Sequence, residues 1–160
     1  MAKKAQAIPK GYHTITPSLF VAGAAKAIEF YKKALGAEEV MRFPAPDGSI
    51  MHAELRIGDS VFMLGDEMSD QGGRGPKSIG GTPVSFYIYG EDVDAAWKRA
   101  VDAGAKPIVP LADQFWGDRS GCLEDPFGHQ WWLAQHIQDL TPEELQKNAE
   151  AFFSQMQTAS

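Results

Sequence analysis

Two glycine-terminated helical segments, AAKAIEFYKKALG ending at Gly36 and EDVDAAWKRAVDAG ending at Gly104, lie 68 residues apart, and each is followed by three strand-like runs. This internal repeat constrains the fold more than any other feature of the chain. In the first segment Ala24, Ala27, Ile28, Tyr31 and Leu35 recur at helical spacing, and Gly36 stands where a C-cap glycine belongs. In the second, Val93, Ala96, Trp97 and Ala100 share one face. Strand-like runs at 14–21, 38–43, 49–57 and 60–64 surround the first helix, and runs at 83–89, 106–110, 119–124 and 130–136 surround the second. Each half reads as a βαβββ unit, a small sheet with one helix on one face. Two such units leave two sheet faces uncovered, which predicts an α+β domain with a cleft between modules.

The expected boundaries are a single domain over 1–160, with module 1 at about 12–66, a linker at 67–81, module 2 at about 82–137 and a C-terminal helix at 141–156. The linker, rich in Gly, Ser and Asp, reads as a mobile loop near a site or as a plain connection. The helix start is explicit: Thr141 is an N-cap, Pro142 occupies N1 and Glu144 N3. Phe152 and Phe153 on that helix need burial, on this chain or on a partner subunit.

Composition excludes several classes. At 160 residues with 44% hydrophobic and 22% charged residues, the chain can bury one ordinary core. A net charge of −6 with no basic stripe argues against nucleic acid. No apolar run approaches the ~20 residues of a membrane span. The basic N-terminus MAKKAQAIPK lacks the apolar core of a signal peptide. A single cysteine, Cys122, suits a reducing cytoplasm. It reads either as a small strand residue or as a nucleophile, and nothing near it in sequence supplies a base.

Six stretches carry a family resemblance: AIEFYKKALGAE (27–38), MHAELRIGDSVFML (51–64), DVDAAWKRAVDAGA (92–105), DQFWGDRSG (113–121), DPFGHQWWLAQH (125–136) and DLTPEE (139–144). The chain resembles the vicinal-oxygen-chelate superfamily of glyoxalase I, ring-cleaving dioxygenases and fosfomycin- and bleomycin-resistance proteins. Within it the chain is most similar to the PhnB-like branch, because QFWGDR, DPFGH and LTPEE agree in order and spacing. The resemblance implies paired βαβββ modules forming a cupped mixed sheet around a cleft, the glyoxalase/bleomycin-resistance fold, and usually a homodimer.

Metal-dependent relatives place a ligand on the first and last strand of each module. Those positions fall on Thr16, Met63, Ser85 and Trp132, none of them a usual ligand for a divalent transition metal. A slip of one residue brings only Ile15 or Pro17, Phe62 or Leu64, Val84 or Phe86, and Trp131 or Leu133. No cofactor is therefore expected. A relocated set of His52, Glu54 and His136 is the remaining metal-binding arrangement, against a plain hydrogen-bonded role for His52. His129 reads as structural and His13 as solvated.

Strand parity places Met51, Ala53, Leu55 and Ile57 towards the helix and His52 and Glu54 towards the cleft. The expected lining is Ser18, Phe20, His52, Glu54, Met63, Ser85, Tyr87 and Trp132, with Gln114, Trp116 and Arg119 from QFWGDR. Of these, His52, Glu54, Tyr87, Gln114, Trp116, Arg119 and Trp132 are the candidate binding residues. Trp116 would stack on a planar molecule and Arg119 would clamp an anion. Alternatively Trp132 fills the old metal cavity, and Arg119 pairs with Asp118, Glu124 or Asp125. Two functions remain open: a metal-independent binder of a small planar or amphipathic molecule, or a lyase, isomerase or dioxygenase using His52 and Glu54. A third class, an interaction module docking through the Phe152/Phe153 helix, is also open.

Overall fold

The first helix is placed by its apolar face. The computed structural model describes residues 5–68, 70 and 73–158. In it α1 (Ala24–Leu35) buries Ala24, Ala27, Ile28, Tyr31, Ala34 and Leu35, and Gly36 closes it in the left-handed conformation at φ 67°. A side chain there would be strained, which is why glycine serves as the cap. Gly23, at the other end, has no side chain to cap with. Asp66 substitutes from the end of strand β4 (Ser60–Asp66), its Oδ1 accepting from the Gly23 and Ala24 N–H groups at 2.8 Å each. Helix α3 (Val93–Asp102) repeats the device: Asp92 accepts from Ala95 N–H, and Gln135 of β8 (Gln130–His136) accepts from Val93 N–H. Asp66 and Gln135 stand 69 residues apart, so the repeat extends to helix-capping groups.

Each module forms a four-stranded mixed sheet. The first runs β1-β4-β3-β2, from β1 (Ser18–Val21), β2 (Glu38–Pro44) and β3 (Ile50–Ile57) around β4. The second runs β5-β8-β7-β6, from β5 (Ser85–Tyr89), β6 (Lys106–Asp113) and β7 (Asp118–Glu124) around β8. β1 and β5 join β4 and β8 in parallel, and the other pairings are antiparallel. The α+β fold of two βαβββ units with a C-terminal helix is the architecture the repeat predicts. Among the described residues no helix is long and apolar enough to cross a membrane.

One alternation is corrected. Phe43 pairs with His52 but Pro44 pairs with Ile50, so Met51 is an extra residue in β3. The bulge reverses parity beyond it. Ile50 enters the core, and Met51, expected to face the helix, is 58% exposed, while Ala53 and Leu55 are buried as expected.

The modules share one core. α1 packs on α3, Arg99 Nε of α3 donates to the Ala34 carbonyl at 3.2 Å, and Trp131 contacts Tyr31 and Phe62 of the first module. Between the modules the chain folds back: Gly75 N–H donates to Glu67 at 2.6 Å ahead of the short helix α2 (Pro76–Ile79). Helix α4 (Pro142–Thr158) starts with a reciprocal cap. Glu144 N–H donates to Thr141 Oγ1, and Thr141 N–H donates to Glu144 Oε2. Phe152 and Phe153 lie on Phe115, at ring separations of 5.1 and 6.3 Å, so this chain provides their first neighbour.

Candidate functional site

Within one chain the expected lining divides among three places. The open face of the first sheet holds Glu54, which is buried although ionisable. His52 Nε2 lies 3.1 Å from its Oε1, and Tyr12, from the segment preceding β1, donates its phenol hydrogen to the same carboxylate. Burial pushes the Glu54 carboxyl up, but the bonds from Tyr12 and His52 outweigh it and hold it below the ordinary glutamate value. The same bond pushes the Tyr12 phenol up to about 12. Residues 7–16 lie over this sheet and leave a groove of about 680 Å³ lined by Tyr12, His13, Thr16, Glu54 and Met63, among others. Thr16 and Met63, two of the positions that the family resemblance assigns to metal ligands, thus line one groove. His13 itself is exposed, 4.0 Å from Asp59.

The open face of the second sheet is aromatic. Tyr87 and Trp132 are register partners whose rings are parallel within 4° at 5.2 Å, and Tyr89 stacks on Tyr87 at 6.1 Å. Beside them Asp118 is buried at the start of β7. Its Oδ2 accepts from Tyr89 Oη at 2.9 Å and Trp116 Nε1 at 3.2 Å, and its Oδ1 lies 2.7 Å from His136 Nδ1. His136 Nε2 reaches Asp139 at 3.0 Å. Burial raises the Asp118 carboxyl, and the bonds from His136, Tyr89 and Trp116 together bring it below the usual aspartate value. The bonds to Asp118 and Asp139 raise the His136 imidazole in turn. Two residues on, the fully buried Ser120 hydroxyl has no hydrogen-bond partner among the described residues.

The third place is a cavity of about 400 Å³ between edge strands β1 and β5, roofed by α2. It takes Ser18 and Phe20, with Val84, Phe86 and His129. His129 is buried, and its Nε2 donates to the Phe20 carbonyl at 3.0 Å, a structural link between the modules.

Four sequence expectations change. Arg119 is not placed beside Trp116: it points to the α3 side of β7, bonded to Asp94 at 2.8 and 3.0 Å and to Asp113 at 2.9 Å. Alternation along β7 explains this, because Asp118 and Arg119 are neighbours and face opposite ways. Gln114 is held in the turn, its Nε2 donating to the Ser120 carbonyl. His136 does not join His52 and Glu54 but sits on the second sheet with Asp118 and Asp139. The tryptophan that fills the interior is Trp131, 4% exposed, while Trp132 is only half-buried. Ser85 pairs with Gln130, two steps along the register from the Tyr87–Trp132 pair. Cys122 is buried beside Trp132 in register, and burial pushes its thiol up, away from nucleophilic use.

Asp118, Tyr89 and Tyr12 were missed as site residues. Asp118 shares parity with His136 across β7 and β8, a signal available in sequence once the strand register is known. Tyr12 carries no such signal, since it lies outside every strand.

The Glyoxalase/Bleomycin resistance protein/Dioxygenase superfamily model matches residues 12–133. A protein of Mycobacterium tuberculosis H37Rv, described as uncharacterized, is 46% identical over 135 residues, 82% of this chain and 79% of that one. The X-ray structure of an Arabidopsis thaliana gene product is similar at 31% identity and TM-score 0.62, covering 77% of this chain and 98% of that one. The crystal structure of TioX from Micromonospora sp. ML1 matches at 26% identity and TM-score 0.62, covering 81% and 100%. With its duplicated βαβββ modules and this match over most of its length, the chain belongs to the glyoxalase/bleomycin resistance protein/dioxygenase superfamily.

Proposed function

We propose that the protein is a metal-independent binder of a small planar or amphipathic molecule, which lies on the aromatic open face of the second sheet. The observation that carries this reading is the Tyr87–Trp132 pair, parallel within 4° and presented on a sheet face where Tyr87 is 46% and Tyr89 60% exposed. Large aromatic rings left unburied on a rigid sheet provide stacking area without loop ordering. Metal independence rests on donor chemistry, since Thr16, Met63, Ser85 and Trp132 offer neither imidazole nor carboxylate. Placement in the PhnB-like branch rests on QFWGDR, DPFGH and LTPEE. A cytoplasmic location suits the single buried thiol, Cys122. Assembly as a homodimer is supported by Val40, Met41 and Phe43, which are exposed on edge strand β2.

Elemental analysis joined to native mass spectrometry tests the reading. Protein retaining no stoichiometric transition metal after gel filtration agrees with it. One metal atom per chain sinks it.

A second reading, metal-free general-base chemistry, is favoured by the position of Glu54, a buried carboxylate beside His52 at the floor of a groove. It would serve isomerase or lyase chemistry. Glu54→Gln abolishing a turnover that Trp132→Ala retains would favour this reading over the first.

A further inference from the structure

We infer that the second sheet's aromatic face selects an organic cation, a planar ring bearing a quaternary or otherwise fixed positive charge. The inference rests on the reading of that face as the ligand-binding surface and adds the charge of the ligand.

Tyr89 and Trp116 both donate to the same oxygen of Asp118, at 2.9 and 3.2 Å. An aromatic ring already carries negative potential on its faces. When its O–H or N–H is bonded to a carboxylate, electron density is pushed further into the ring, and the faces become more negative. A cation over such rings gains more than a neutral molecule of the same shape, and the gain grows as the site is desolvated. Tyr89 stacks on Tyr87, which stacks on Trp132, so a carboxylate-bonded ring stands at one end of the exposed stacking row.

The local charge has the matching sign. Asp118 and Asp139 share one imidazole, His136, at 2.7 and 3.0 Å. Even with His136 protonated, two carboxylates face one positive charge. The nearest guanidinium on β7, Arg119, is turned to the other side of the sheet and bonded to Asp94 and Asp113. An anionic planar ligand would face two carboxylates against a single imidazole that is already bonded to both.

The test compares N-methylquinolinium with neutral quinoline at pH 8 by isothermal titration calorimetry on the full chain. The cation is expected to bind about tenfold more tightly, equivalent to about 1.4 kcal/mol. In Asp118→Asn the cation-to-neutral ratio should fall towards one. Tyr89→Phe keeps the ring and removes only the bond to Asp118, so it gives the same answer if Asp118→Asn fails to fold. Equal affinity for the two probes overturns the cation inference and leaves the planar-ligand reading standing. Absence of binding by either probe overturns both. A tenfold preference that survives both substitutions would trace to the overall charge of −6 and overturn the inference. Probe affinity that falls as protein concentration rises would mean that a second copy occupies the face, which also overturns it.

Discussion

Tyr31 of α1 donates its phenol hydrogen to Asp125 Oδ2 at 2.7 Å, joining the helix of the first module to the turn that precedes the last strand of the second. Both groups are buried. The Asp125 carboxylate also accepts from Trp131 Nε1 at 2.8 Å and from the N–H groups of Phe127 and His129 at 2.8 and 3.0 Å. The DPFGH turn is thus the clasp between modules. Asp125→Ala, which leaves four donors without this acceptor, is expected to cost about 3 kcal/mol or more; Tyr31→Phe should cost about 1–2 kcal/mol. Urea denaturation measures both, and equal losses would refute the clasp.

The adjacent tryptophans should part company on substitution. Trp131 is buried against Tyr31, Phe62 and Phe86, so Trp131→Ala is expected to cost about 3–5 kcal/mol of stability. Trp132→Ala should lose less than half of that and abolish binding of a planar probe. A Trp132→Ala protein that binds normally would remove the stacking platform from the site.

Arg119→Ala is expected to leave probe affinity unchanged. Its partners Asp94 and Asp113 are exposed, so the loss in stability should be below about 1 kcal/mol. A marked drop in affinity, read by calorimetry, would return Arg119 to the site.

The Asp118–His136 pair should give stability a pH dependence of defined sign. His136 is raised in the folded protein by its bonds to Asp118 and then Asp139, so its contribution is full below its ordinary value of 6.5 and is lost as pH rises through the raised value. Asp118 is depressed, with burial opposing the bonds that lower it, so its contribution is present above the ordinary 3.8 and is lost on acidification below that. Thermal melts of the wild type and His136→Asn across pH 5–9, about the range over which imidazole titrates, should diverge at the acid end of that range and converge at the alkaline end. Parallel curves would show that the pair contributes nothing.

Tyr12 ionises near 12 because it donates to Glu54, with burial adding to the shift. Ultraviolet titration of Glu54→Gln should show one tyrosine returned towards 10, the ordinary value. Tyr12→Phe should raise the Glu54 carboxyl. Unchanged tyrosine absorbance in Glu54→Gln would show that residues 7–16 do not rest on this sheet in solution.

Much of this molecule was legible in one dimension. The repeat is visible because a helix with one buried face demands apolar residues at fixed spacing, and the left-handed cap at Gly36 admits little besides glycine. The Thr141–Glu144 capping box is equally local. Parity along β3 placed His52 and Glu54 on the open face and Leu55 in the core, and it failed only at the Met51 bulge, which shows only in the pairing of β2 with β3.

What only the tertiary structure decided was company. Asp118 and Arg119 are consecutive in sequence, yet one gathers Trp116, Tyr89 and His136 while the other turns to α3. Asp125 in a turn looks like any turn aspartate until Tyr31, 94 residues away, reaches it. Tyr12 lies in no strand and meets Glu54 only because the N-terminal segment folds over the first sheet. Periodicity reports which way a side chain points relative to its own element. It carries no information on which distant donors converge on a buried carboxylate, because that convergence depends on how the two modules dock.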